Sequence, residues 1–255
     1  MQMASLVLPV GVCLLFWWLG TGIVLRLFSL PERTHRFSVV GLSFLAALSL
    51  AGIYLLKDTQ TALAAYLSFA AALVIWGWLE LLHYTGVLVG PGTRHCPHGL
   101  SNIRRFFSAL YAMLYHELAV AITGICLIVL TWGSANRTAL YAYLVLWVMR
   151  VSAELNVFLG VAYLPEEWLP PKLRYLMSYR KTRRANALFP VSVLSASIVC
   201  IWMFAHLPAK SVDAFAHTSI TLTGTLLLLA ILEHWLLVLP SRSGSLWSWA
   251  LSRAT

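Results

Sequence analysis

The chain has 255 residues, of which 60% are hydrophobic and only 11% charged. Ordinary soluble domains run about a quarter charged, so this composition excludes a soluble globular domain. The formal net charge of +9 belongs to the segments between apolar runs, where it serves topology and anionic lipid rather than nucleic acid. No Gly-rich phosphate loop, GxSxG elbow or solenoid repeat is present, which leaves nucleotide chemistry and serine hydrolysis without footing. Cys13, Cys96, Cys126 and Cys200 are scattered and form neither a disulfide framework nor a CxxC knuckle.

Seven apolar stretches approach or exceed the ~20 residues that cross a bilayer as helix. They lie at roughly 4–28, 37–56, 61–89, 106–131, 138–160, 188–206 and 214–239. The expectation is an all-α, polytopic integral membrane bundle forming one transmembrane domain over 1–255. The first stretch lacks a basic n-region and a small-residue cleavage site, so it reads as a retained helix rather than a signal peptide. Segments after spans 1, 3, 5 and 7 carry fourteen Lys and Arg, and the opposite side only Lys57, Arg137 and Lys210. This bias predicts the N-terminus outside and the C-terminus in the cytoplasm. Trp17, Trp18, Trp132, Trp202, Trp235, Trp247 and Trp249 are read as interfacial belts.

Two segments on the cytoplasmic side stand out. The run His95-Cys96-Pro97-His98 has metal-ligand residue types, but three in four positions around a proline rarely close a site, and a solvated loop is expected. The 161–187 segment sets Trp168, Leu169, Leu173 and Leu176 among Lys172, Arg174, Arg180, Lys181, Arg183 and Arg184. Apolar residues interleaved with bases predict a short interfacial helix that binds anionic headgroups or a partner protein.

Within the spans lie groups that are costly in lipid and are functional candidates by default. The third carries Glu80 and His83, one turn apart and on one helix face. The fourth carries His116 and Glu117, the fifth Arg150 and Glu154, and the seventh Glu233 and His234. Counted from the span ends, they fall in one layer roughly 9–15 Å below the cytoplasmic edge at 1.5 Å per residue. The expectation is that Glu80, His116, Glu117 and Glu233 converge. Arg150 offsets one carboxylate through Glu154, one turn away, so the remainder calls for protons, charged histidines or cations. Three readings stay open: a metal site of two divalent ions such as iron, as in bundle-core carboxylate proteins; a hydrogen-bonded network holding the bundle; and axial ligation of a tetrapyrrole magnesium by a histidine.

At these residues the chain resembles a known family. The carriers are Trp76-Gly-Trp78 with Glu80 and Thr85-Gly86, Gly90-Pro91, Cys96-Pro97 and Tyr115-His116-Glu117-Leu118-Ala119. They continue through Leu146-Trp147-Val148-Met149-Arg150, 155–161, Leu173-Arg174-Tyr175-Leu176, 186–192 and Leu232-Glu233-His234-Trp235. This series is similar to the PuhE-type photosynthetic complex assembly proteins of purple bacteria and covers nearly the whole chain. The resemblance implies an integral membrane factor affecting bacteriochlorophyll supply or the assembly of reaction-centre and light-harvesting subunits, and it secures no catalytic activity. The chain departs from the family pattern at Leu79, where a histidine is expected, at His83, where an aromatic or apolar residue is expected, and at Glu154, where a lysine is expected. Glu80, His116, Glu117, Arg150, Glu233 and His234 carry over.

The resulting expectation is an assembly factor for photosynthetic complexes or a bacteriochlorophyll-handling protein, with pigment-biosynthesis proteins as further partners. The alternative is a membrane-embedded metal-dependent oxidoreductase acting on a tetrapyrrole or another lipid-soluble substrate. A proton-coupled transporter is a third class, without the paired broken helices that would support it.

Overall fold

The computed structural model describes residues 2–163, 169–181, 183–240 and 246–251, with side chains from residue 5 onward. Among the described residues, seven helices are long and apolar enough to cross a membrane. They are α1 (Gln2–Ser29), α2 (Glu32–Leu56), α3 (Ala62–Tyr84), α4 (Asn102–Leu130), α5 (Thr138–Leu159), α6 (Leu188–Ala205) and α7 (Ala214–Leu236). In hydrocarbon a helix satisfies its backbone internally, and the ends that leave it need other partners. Thr61 accepts from the Ala64 N–H at the start of α3, Ser101 from Arg104 at α4, and Asp213 from Ala216 at α7. A short helix, α8 (Ser248–Leu251), follows near the C-terminus.

The bundle is built around α7, whose most apolar window is 72% buried, against 11–39% for the other spans. It packs on α1, α3, α5 and α6. Its interior face is rich in small hydroxylated residues, with Thr218, Ser219, Thr221, Thr223 and Thr225 all buried. Thr218, Thr221 and Thr223 donate to the carbonyls of Ala214, His217 and Ser219, one turn back. A small hydroxyl satisfied on its own helix lets neighbouring backbones approach closely, which is how helices pack where lipid is as apolar as the side chains.

Span 3 ends at Tyr84, earlier than its hydropathy predicts. Gly86 takes φ 77° and reverses the chain, and the Val87 and Leu88 N–H groups both donate to the Leu82 carbonyl. The segment after it then runs against α4. There the Val89 carbonyl accepts the His116 N–H, while the Ala112 carbonyl accepts the Tyr175 hydroxyl. These are the two groups that an unbroken helix would pair with each other, and both have partners outside α4.

The 161–187 segment does not form a helix lying free in the interface. It contains a 3-10 helix, Pro171–Tyr179, whose Leu173, Tyr175 and Tyr179 are buried against α4 and the loop before it. Tyr179 donates its hydroxyl to the Arg94 carbonyl. Apolar residues at this spacing had a protein surface to cover. Lys172 is exposed and pairs with Glu32 at 2.9 Å, Lys181 donates to the Asn102 side chain at 2.8 Å, and Arg174, Arg183 and Arg184 are exposed. Trp168 lies outside the described residues.

The tryptophans also divide. Trp132 and Trp202 are 81% and 61% exposed, as belt residues should be. Trp17 and Trp18 instead meet the C-terminal segment. Trp17 stacks edge-on against Trp247, Trp18 tilts against Trp249, and the Trp247 indole N–H donates to the Trp18 carbonyl.

Candidate functional site

The intramembrane charges gather on α5. Arg150 sends each nitrogen of its guanidinium to a different carboxylate: Nε to Glu80 at 3.2 Å, Nη1 to Glu117 at 2.9 Å and Nη2 to Glu154 at 2.5 Å. The planar guanidinium is the one side chain whose donors can fork to three acceptors in fixed directions. Its side chain is 13% exposed, and those of Glu80 and Glu117 are 16% and 18%. Sequence spacing assigned Arg150 to Glu154 alone; it joins α3, α4 and α5. Three carboxylates surround one guanidinium, so the cluster carries more formal negative charge than Arg150 offsets.

Beside the cluster lies a cavity of about 560 Å³ between α3, α4, α5, α7 and the 3-10 helix. Its walls are largely apolar, with Trp76, Phe106, Leu110, Met113, Leu155 and Phe158 among them. Glu80, Glu117, Arg150 and Glu154 face it, as do Glu233 and His234 from α7, and Arg180 reaches it from the loop side.

The expected four-way convergence is met only in part. Glu80 and Glu117 meet at Arg150. Glu233 lines the same cavity but accepts from the Trp17 indole N–H at 2.8 Å rather than joining Arg150. His116 is fully buried, outside the cavity lining, and neither ring nitrogen has a hydrogen-bond partner among the described residues. Its ring packs on that of His83, with centroids 4.4 Å apart. His83 does line the cavity, and its Nδ1 lies 3.3 Å from the Leu88 carbonyl. His234 bridges α7 to α5, with Nε2 3.0 Å from the Ser152 hydroxyl and Nδ1 2.8 Å from the Ala230 carbonyl.

The two-metal reading does not fit this arrangement. Among the described residues no group of three or more His, Cys, Asp and Glu side chains could hold a metal ion. A guanidinium stands at the centre of the carboxylates where such ions would have to lie. In the loop, His95 and His98 are exposed, and the Cys96 N–H donates to Ser178, so that run is loop structure.

Residues 3–255 match a family model described as "Protein of unknown function (DUF3623)". The chain belongs to the DUF3623 family. It is 36% identical, over 92% of its length and 87% of the relative's, to a Rhodobacter capsulatus protein described as "Uncharacterized 30.4 kDa protein in puhA 5'region". No solved structure matches it.

Several groups that shape the site in this DUF3623 chain escaped the sequence reading. Trp17 carried a belt signal, yet its indole holds Glu233 across 216 residues of chain. Ser152 is one of many small residues in α5, and only the fold sets it against His234. In the α3–α4 connection the sequence drew attention to the run from His95 to His98, whereas Leu88 and Val89, which carried no signal, position both His83 and His116.

Proposed function

We propose that this chain is a PuhE-type factor of the bacterial inner membrane that serves photosynthetic complexes, by handling a lipid-soluble tetrapyrrole such as bacteriochlorophyll in the cavity beside Arg150. The observation that carries the reading is the cavity itself. Its volume falls in the roughly 300–1,000 Å³ range of ligand pockets, and it joins apolar walls to a few convergent polar groups, the usual make-up of such sites. Its position among membrane-spanning helices suits a ligand that arrives through lipid. The gene of the Rhodobacter capsulatus relative lies in the puhA 5' region, a photosynthesis gene region, which supports the biological setting.

In this reading the carboxylates act as hydrogen-bond partners and as the frame that holds Arg150, rather than as metal ligands. Glu117→Gln keeps the oxygen that accepts from Nη1 and removes one of three negative charges, so it should be tolerated at modest cost. In a deletion strain complemented with Glu117→Gln or Glu233→Gln, bacteriochlorophyll content should stay near the wild-type level. A specific precursor accumulating with both variants, at normal protein abundance, would instead overturn this reading in favour of an enzyme that needs the carboxylate charge.

The basic loops face the cytoplasm, with reaction-centre or light-harvesting subunits, pigment-biosynthesis proteins and anionic lipid as the partners of the exposed Arg174, Arg183 and Arg184. Reporter fusions after Arg184 and after Arg253 should agree with each other and disagree with one in the 132–138 turn. A periplasmic signal from the first two would reverse this orientation.

A further inference from the structure

We propose that His83 is the axial ligand of a metal-centred macrocycle seated in the cavity, its Nε2 donating to a metal that arrives already held by the macrocycle. This rests on the reading that the cavity takes a lipid-soluble tetrapyrrole, and it names the atom that holds it. His83 is only 4% exposed and lines the cavity, so the ring has left water and borders the ligand space. Among the described residues, Nδ1 is the only atom of the ring with a hydrogen-bond partner, the Leu88 carbonyl. A carbonyl can only accept, so Nδ1 carries the hydrogen and Nε2 keeps its lone pair. A backbone carbonyl on the far nitrogen is also how metal-bound histidines are commonly oriented, because it fixes the tautomer and raises the basicity of the ligating nitrogen.

The rest of the ring's surroundings hold it still. Gly86 at φ 77° turns the chain back so that Leu88 reaches His83, and the next residue, Val89, accepts the His116 N–H. The His116 ring then packs on His83 at 4.4 Å from within the protein. One face of His83 is thereby buttressed.

The type of ligand follows from the number of donors. A free divalent ion takes four or more ligands, and no described group of three His, Cys, Asp and Glu could supply even most of them. A metal inside a tetrapyrrole needs only an axial donor, with an apolar space for the ring. A single oriented imidazole opening on a largely apolar cavity of about 560 Å³ meets that need.

The test is a titration of the purified full-length protein in detergent with zinc mesoporphyrin and with metal-free mesoporphyrin, followed by absorbance. The exposed His95, His98 and His206 are changed to Ala throughout, so that exposed imidazoles do not contribute. The zinc form should bind at least tenfold more tightly than the metal-free form and show the red shift of five-coordinate zinc. His83→Phe should bring the zinc form down to the metal-free affinity without changing the latter, and His83→Gly should regain the shift when imidazole is added. Equal affinity of the two forms for the wild type, unchanged by His83→Phe, would overturn axial ligation while leaving a tetrapyrrole cavity standing. A zinc preference lost with His116→Phe and kept with His83→Phe would overturn it as well. Failure of both forms to bind would overturn the cavity reading together with this one.

Discussion

Arg150→Met should cost the protein its folded state in the membrane. The change is close in shape but leaves Glu80, Glu117 and Glu154 facing one another with no counter-charge, in a site whose arginine is 13% exposed. Removing one partner of a buried ion pair costs about 3–5 kcal/mol, and here one substitution orphans three carboxylates. That is a large part of the roughly 5–15 kcal/mol by which folded proteins are stable. The expected result is a sharp fall in membrane abundance and in thermal stability after detergent extraction. Arg150→Lys should recover only part of it, because a compact ammonium cannot reproduce three divergent N–H directions. Combining Arg150→Met with Glu80→Gln, Glu117→Gln and Glu154→Gln should restore most of the abundance, since the loss comes from unpaired charge. Normal stability of Arg150→Met alone would mean that the cluster is not a structural keystone.

Gly90→Ala should be the most damaging change of comparable size in the connection between α3 and α4. An added Cβ would sit 2.5 Å from the Tyr111 carbonyl oxygen and 2.6 Å from the Ala112 carbonyl carbon and oxygen, all of them helix backbone with no freedom to rotate away. Overpacking of this kind costs typically 1–3 kcal/mol. Relief requires lifting the segment off α4, which stretches the Val89 contact to His116 and moves the Leu88 carbonyl from His83. Thermal unfolding should show the destabilisation. Any spectral signature of ligand bound near His83 should weaken further than the stability loss alone accounts for. Gly99→Ala is the control: it lies in the same connection at φ 78° with no neighbour within 4 Å among the described residues, so it strains the backbone without lifting the segment.

Much of the architecture was legible because lipid leaves a coarse, one-dimensional record. Seven apolar runs became seven helices, since a spanning segment has few alternatives to helix. The ends were less legible. A hydropathy window continues smoothly from Tyr84 to Val89, while the break depends on one glycine's positive φ. Depth was readable too: Glu80, Glu117 and Glu154 do lie at one level and share Arg150. Rotation of the helices was not. Nothing in the one-turn spacing of Arg150 and Glu154 tells that two further helices present carboxylates to the other guanidinium nitrogens, and nothing in a tryptophan near a span end tells whether it faces headgroups or Glu233. Sequence placed the ingredients in one layer, and the packing of α7 against α1, α3 and α5 decided who meets whom.

The most direct measurement is bacteriochlorophyll content in a deletion strain complemented with cavity-filling variants, Ala109→Phe and Ala153→Phe, with protein abundance read on the same membranes. Both alanines line the cavity and carry no charge, so these changes occupy its space while leaving Arg150 and its carboxylates in place. If the cavity is where the protein acts, each variant should accumulate normally and leave bacteriochlorophyll content as altered as the deletion does. Wild-type pigment content with both variants at normal abundance would contradict it.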